Sequence, residues 1–169
     1  MKTFIPLLLA FAVSACEPFS ADEILSRALP AQEQSLAHKA YYYLGLEEQR
    51  DRKLLRDIIG VDPVTTEWCA AFVNMILLEN QITTSADVSP YPLTARSFLK
   101  WGHEVDEPQK GDIIIFKRGE SGWQGHVGFY VNSKILNGQK VYYVLGGNQN
   151  DKVSIMVYPA DKLLGIRRL

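Results

Sequence analysis

Residues 108–117 read PQKGDIIIFK, and the chain changes from helical to extended patterning at this stretch. Pro108 and Gly111 bracket a turn, and the apolar run after them predicts a buried strand over residues 112–117. Helical patterns precede the stretch and strand patterns follow it. This order predicts an α+β fold, with N-terminal helices packed on a C-terminal antiparallel sheet of about five strands.

The individual elements follow from hydrophobic periodicity and from capping or breaking residues. A capping-box pattern at residues 20–23 predicts a short helix that ends before Pro30. Further helices are predicted over residues 32–44 and 46–59, from Thr65 or Thr66 to Glu79, and over 94–101. The remaining strands are predicted over residues 126–132, 141–145, 153–158 and 164–168.

Length, charge and motif content exclude several classes of function. A chain of 169 residues is the size of one domain with a substantial core, and we expect a monomer. The formal net charge of -1 argues against binding nucleic acid through phosphate neutralisation. The sequence contains no His-Glu-x-x-His, no Cys-x-x-Cys and no phosphate-binding glycine loop, so we expect neither a metal nor another cofactor.

The first sixteen residues have the composition of an export segment. Lys2 is followed by the apolar residues 4–13 and then by small residues, the order of a secretory signal peptide. The alternative is a buried N-terminal helix or strand. Residues 13–16 read VSAC and resemble the lipobox of bacterial lipoproteins, in which the cysteine is lipidated. We therefore expect an exported protein of the periplasm or cell envelope, anchored to a membrane if Cys16 is lipidated. The alternative is ordinary cleavage nearby, with Cys16 removed or left as a plain thiol.

Cys16 and Cys69 are the two cysteines of the chain. Cys69 lies in the first turn of a predicted helix, where unpaired backbone N–H groups and the helix dipole favour a thiolate. It would then be a reactive nucleophile. The alternatives are a small buried hydrophobe or, if Cys16 is unmodified, one half of a disulfide.

His126 and Asn148 are the candidate partners of this cysteine. On the predicted strand, His126 shares a face with Gly128, while Val127 and Phe129 share the apolar face that should meet the core. Asn148 follows the next strand, which would be its neighbour in an antiparallel meander. An Asn carbonyl oxygen can accept the imidazole N–H and orient the ring, as in Cys-His-Asn hydrolases. The alternatives are a structural histidine and an ordinary Gly-Gly-Asn turn.

Four short motifs occur in the order seen in papain-like cysteine peptidases of the CHAP and NlpC types. Residues 68–74 read WCAAFVN and resemble the nucleophile helix, and residues 108–116 resemble the P-x-x-G-D strand. Residues 125–130 read GHVGFY and resemble the histidine strand, and residues 145–149 read LGGNQ, as in a subgroup with Gly-Gly-Asn-Gln at the third position. The resemblance covers about residues 40–169, which leaves residues 17–39 as a helical extension after the signal segment.

This resemblance implies a papain-like fold in which Cys69 is the nucleophile, His126 the base and Asn148 the orienting residue. Trp68, Trp123 and Gln149 are further candidates for the substrate cleft. The Trp-Cys-Ala sequence and an Asn at the third position depart from the NlpC pattern and lie nearer the CHAP type.

The resemblance also implies a substrate, peptidoglycan, and a reaction, hydrolysis of an amide bond through a thioacyl intermediate. The enzyme would be either an N-acetylmuramoyl-L-alanine amidase or a peptide endopeptidase. Three alternatives remain open at the level of sequence: a catalytically silent lipoprotein that binds the cell wall or a protein, acyl transfer to an amine at the same site, and an exported antibacterial amidase toxin.

Overall fold

The computed structural model describes residues 35–169. Their α-helices are α1 (Leu36–Tyr41), α2 (Arg52–Ile59) and α3 (Cys69–Glu79), and short 3-10 helices occupy Ser85–Asp87, Ala95–Lys100 and Ala160–Lys162. The strands are β1 (His103–Glu104), β2 (Ile113–Lys117), β3 (Gly125–Leu136), β4 (Gln139–Gly146), β5 (Ser154–Pro159) and β6 (Leu163–Arg168). No helix in this part of the chain has the length and apolar character needed to cross a membrane.

The strands form one antiparallel sheet in the order β1-β6-β2-β3-β4-β5. The predicted α+β fold is therefore confirmed, with the helices preceding the sheet in sequence. The sheet has six strands rather than five, because the two-residue strand β1 adds an edge beside β6. So short a strand leaves no hydrophobic alternation that would predict it from sequence.

The helices are shorter than predicted, and α2 gives the clearest reason. The prediction began this helix at residue 46, but Leu46 and Glu47 instead pair with the segment before β5. The Val153 N–H donates to the Leu46 carbonyl at 2.8 Å, and Glu47 forms a bridge with Lys152. Tertiary pairing thus overrides local helix propensity in this segment. Gly60 ends the helix as predicted, with a left-handed φ of 75°.

Helix α3 packs on one face of the sheet and carries the nucleophile candidate at its first position. Eight of its eleven residues are buried, so it is apolar on nearly every side, as expected of an interior helix. Val127 and Phe129 of β3 join the same core, which confirms the face predicted for them. The alternate residues of β3 point to the opposite face, where Tyr130 belongs to a second, smaller cluster.

The start of β2 is fixed by the buried carboxylate of Asp112. It accepts the Gln109 backbone N–H at 2.7 Å, so this side chain closes the predicted turn. It also receives two N–H groups of Arg168 at 2.9 and 2.8 Å. This paired contact ties β2 to the end of the chain and satisfies a charge that would otherwise be costly to bury.

Gly128 allows β3 and β4 to approach closely. A Cβ at this position would lie 2.6 Å from Val144 Cγ1 and 2.7 Å from the Leu145 carbonyl oxygen. We expect Gly128→Ala to lower the free energy of unfolding by about 1–3 kcal/mol, since the strands must separate to fit the methyl group. Chemical denaturation followed by circular dichroism measures this change.

Gly122 provides the matched control for Gly128→Ala. A Cβ there would meet nothing within 4 Å. Gly122→Ala should therefore leave the denaturation midpoint nearly unchanged. Equal midpoints for Gly128→Ala and Gly122→Ala would contradict the close approach of β3 and β4.

Candidate active site

Cys69 is a free, buried thiol at the first residue of α3. Trp68 occupies the N-cap position and makes no side-chain capping hydrogen bond, so the first backbone N–H groups of the helix are not satisfied in that way. The backbone N–H groups of Ala70 and Val127 act on the sulfur and favour its anionic form. Val127 belongs to strand β3 and is the residue next to His126.

His126 is 1% exposed near the start of β3, and its two ring nitrogens have different surroundings. Nε2 lies 3.1 Å from Oε1 of Gln149. Nδ1 is buried and has no hydrogen-bond partner among the described residues. Nε2 of the imidazole is therefore hydrogen-bonded, whereas Nδ1 remains available to a neighbouring group.

The surroundings of Gln149 determine which tautomer of His126 is present. The side-chain nitrogen of Gln149 donates to the carbonyl oxygens of Ser154 and, at 3.3 Å each, Val144 and Gly146. Carbonyl groups only accept hydrogen bonds, so the amide nitrogen must face them and the amide oxygen must face the imidazole. His126 Nε2 then carries the proton and donates it, which leaves Nδ1 unprotonated and able to act as a base.

The orienting role predicted for Asn148 is therefore not the role this geometry gives it. Its Nδ2 donates instead to Oε2 of Glu67 at 2.7 Å, and Gln149 takes the predicted position against His126. The cause is the backbone of the turn after β4. Asn148 has a φ of 56°, which reverses the direction of its side chain and turns the next one inward.

Gly147 shows why this turn lies so close to α3. A Cβ at Gly147 would lie 2.5 Å from the Trp68 ring and 2.7 Å from Phe72 Cβ. The predicted placement of Trp68 in the substrate cleft is likewise not what is found. Trp68 is 0% exposed, belongs to the core, and donates its ring N–H to Glu48 at 3.2 Å.

A stack of aromatic rings supports the other side of His126. The ring of Tyr158 is nearly parallel to the imidazole, with centroids 5.0 Å apart, and Tyr158 stacks in turn on Phe116 at 4.7 Å. The guanidinium of Arg118 also interacts with the Tyr158 hydroxyl and favours its ionised form. Burial raises the pKa of Tyr158 to about 12, so the hydroxyl remains protonated at neutral pH.

An open cleft of about 180 Å³ lies beside the thiol. Cys69 lies in its wall together with two charged residues, Glu67 and Arg118. Trp123, a predicted cleft residue, also lies in this wall and is 68% exposed. The other lining residues are Leu93, Thr94, Ala95, Gln124 and Gly125.

Burial controls the charge state of Cys69 and His126. It raises the pKa of the Cys69 thiol, an effect larger than the lowering contributed by the Val127 N–H and Arg118. It lowers the pKa of His126 to about 3, and the positive charge of Arg118 acts in the same direction. The free protein therefore holds a neutral thiol and a neutral imidazole at neutral pH, whereas position in the helix alone favoured a thiolate.

Arg118 and Tyr158 were not predicted as site residues. Arg118 directly follows Lys117, which pairs with Gly125, so the β2–β3 register places it at the same end of the sheet as His126. A hairpin pattern could have indicated this. Tyr158 lies on β5, two strands from β3, and its position follows only from the strand order.

The described residues contain no group of three or more His, Cys, Asp or Glu side chains able to hold a metal ion. A family model for the CHAP domain matches residues 61–148, slightly more than half of the 169-residue chain. That range contains Cys69 and His126 and ends one residue before Gln149. Neither curated proteins nor solved structures gave a significant match.

The charge state of the free thiol can be tested by alkylation with iodoacetamide. Because the pKa of Cys69 lies above its ordinary value of 9.0, we expect the alkylation rate to keep rising with pH into the alkaline range. The Cys69→Ala chain measures the background from Cys16. A plateau of reactivity that extends well below neutral pH would instead indicate a thiolate–imidazolium pair and contradict this prediction.

Proposed function

The chain belongs to the CHAP domain family, whose members are in general hydrolases of peptidoglycan, and from this premise we propose that it is a cysteine hydrolase. Its reaction would be cleavage of an amide bond in peptidoglycan, either between sugar and peptide or within the peptide. The observation that carries the proposal is the arrangement of the imidazole. His126 offers an unprotonated Nδ1 on the strand whose Val127 N–H acts on the Cys69 sulfur, while Gln149 accepts the proton of Nε2–H.

The first half of the proposed reaction is acyl transfer to sulfur. Nδ1 of His126 takes the thiol proton as Cys69 Sγ attacks the amide carbonyl carbon. The carbonyl oxygen becomes negative and is stabilised by the unpaired backbone N–H groups at the start of α3. The C–N bond then breaks, the His126 proton passes to the departing amine, and a thioacyl enzyme remains.

The second half releases the acyl group to water. His126, again neutral, takes a proton from a water molecule whose oxygen attacks the thioacyl carbon. The C–S bond breaks, and the proton on Nδ1 returns to the sulfur as the carboxylic acid leaves. Gln149 keeps Nε2–H paired through both halves, so the imidazole gains and loses protons at one nitrogen only.

We further propose export for this chain, since peptidoglycan lies outside the cytoplasm. Residues 1–16, with the predicted signal peptide and lipidation at Cys16, lie outside the described residues, as does most of the predicted extension over 17–39. The proposed catalytic domain over residues 40–169 includes the whole sheet and the cleft.

Digestion of purified peptidoglycan by the full chain tests the function. We expect soluble products from the wild-type chain and none from Cys69→Ala, because the alanine has no nucleophile. Product masses separate an amidase from an endopeptidase. Equal products from both chains would refute the cysteine mechanism. Binding without products from a folded wild-type chain would favour the cell-wall binding alternative.

A second comparison tests which residue orients His126. We expect Gln149→Ala to lower kcat by at least about tenfold, because the imidazole loses the acceptor that fixes its tautomer. Asn148→Gly, which removes the other candidate side chain and tolerates a positive φ, should reduce kcat much less. The reverse order of effects would restore Asn148 to the orienting role.

A further inference from the structure

We propose that Arg118 is an anion-binding residue that selects substrates with a carboxylate beside the scissile amide. The inference rests on the proposed hydrolase function and deepens it, since it names the charged group that the cleft recognises. It is carried by three features of Arg118: its unused hydrogen-bonding capacity, its place beside the thiol, and the nature of its partner Glu67.

Arg118 has fewer hydrogen bonds than the arginines of this protein that pair doubly with a carboxylate. Arg168 forms two bonds of 2.9 and 2.8 Å with the buried Asp112, and Arg52 is paired twice with Asp62. Arg118 makes a single contact of 3.5 Å, with Glu67, and also interacts with the Tyr158 hydroxyl. A guanidinium has five N–H donors, so most of its capacity for a planar carboxylate remains free.

The charge of Arg118 reaches the reacting atoms. Arg118 and Cys69 line the same cleft, and the Arg118 charge acts on Cys69, His126 and Tyr158. Its side chain is 44% exposed and lines the cleft, so it is accessible to a ligand in that cleft. An anion that contacts Arg118 would therefore lie close to the carbonyl that Cys69 attacks.

Glu67 is a weak occupant of the position that we assign to a substrate carboxylate. Its side chain is 78% exposed, and an ion pair that is this long and exposed contributes little to stability. Asn148 holds the same oxygen, Oε2, at 2.7 Å. A substrate carboxylate could therefore replace Glu67 at Arg118 while Glu67 keeps its bond to Asn148.

The remaining wall of the cleft supports a peptide substrate of mixed character. Leu93, Ala95 and Trp123 are apolar, and they lie in the same cleft as Arg118. A cation surrounded by apolar groups attracts an anion more strongly than one in open solvent. The expected ligand has a carboxylate for Arg118 and a small apolar group for the other wall, as in a peptide that combines acidic residues with alanine.

Synthetic muramyl peptides in which each free carboxylate is replaced, one at a time, by a carboxamide test the proposal with the full chain. At one position, amidation should lower kcat/KM of the wild-type chain by about tenfold or more, chiefly through KM. In Arg118→Gln, the ratio of kcat/KM for the carboxylate peptide to kcat/KM for the carboxamide peptide should fall to about one. Arg118→Lys should retain part of the wild-type ratio. The proposal is overturned if no position matters, or if Arg118→Gln retains the wild-type ratio.

Two further variants separate recognition from a general effect of charge. Lys117→Gln removes the same charge one residue away, where Lys117 forms an ion pair with Glu120 at 3.5 Å, and it should keep the wild-type ratio. Glu67→Gln removes the competing carboxylate, so the ratio should rise by about twofold to fivefold. Opposite effects at Arg118 and Glu67 would not result from a merely structural role.

Binding measurements keep this proposal distinguishable from the proposed function. If the wild-type chain cleaves none of the peptides, the hydrolase proposal fails, and calorimetry with the folded Cys69→Ala chain tests recognition alone. Tighter binding of a carboxylate than of its carboxamide, lost on adding Arg118→Gln, supports anion selection. Equal binding of the two, or no binding of either, overturns it. Cleavage that is indifferent to amidation leaves the hydrolase proposal intact and refutes this one.

Discussion

The hydrogen bonding of the Gln149 carboxamide is the constraint on which the site depends. Its nitrogen faces buried carbonyl groups, so its oxygen must face His126, and one ring nitrogen is left for chemistry. Because the bonds to Gly146 and Ser154 span the end of β4 and the start of β5, the imidazole keeps its orientation only while these strands keep their register. In this buried setting an unmet polar group would be costly. The stability of the sheet and the tautomer of the base therefore rest on the same contacts.

Sequence patterns could predict what depends on local periodicity and chain order. Cys69 was correctly assigned to a helix start, and His126 to a strand whose alternate residues meet the core. Both assignments follow from the spacing of apolar residues, which is two along a strand and three to four along a helix. The choice between Asn148 and Gln149 depends on the sign of one backbone angle, and Gly-Gly-Asn-Gln is compatible with either. The start of α2 was predicted too early because the pairing of Glu47 with Lys152 is long-range.

The electrostatic state of the site was the least accessible to sequence reasoning. A helix N-terminus predicts a lowered thiol pKa, yet the burial of Cys69 reverses the sign. Burial is a property of the whole packed domain, and both Cys69 and His126 are buried in it. Arg118 lies outside every recognised motif, and the β2–β3 register brings it to the site. Local motifs therefore identify the pair that we propose to react, whereas the tertiary structure determines its charge.

A neutral thiol and imidazole make the free site weakly reactive, and substrate binding can change this balance. Arg118 lowers the pKa of His126 and so opposes formation of the imidazolium. A carboxylate bound to Arg118 would neutralise that charge and make His126 a stronger base. The same neutralisation also weakens the effect by which Arg118 lowers the pKa of Cys69. By the transition state, however, negative charge has moved from sulfur to the carbonyl oxygen at the start of α3. Both effects of a bound carboxylate act through Arg118, so that recognition and the protonation of the thiol and imidazole would depend on one residue.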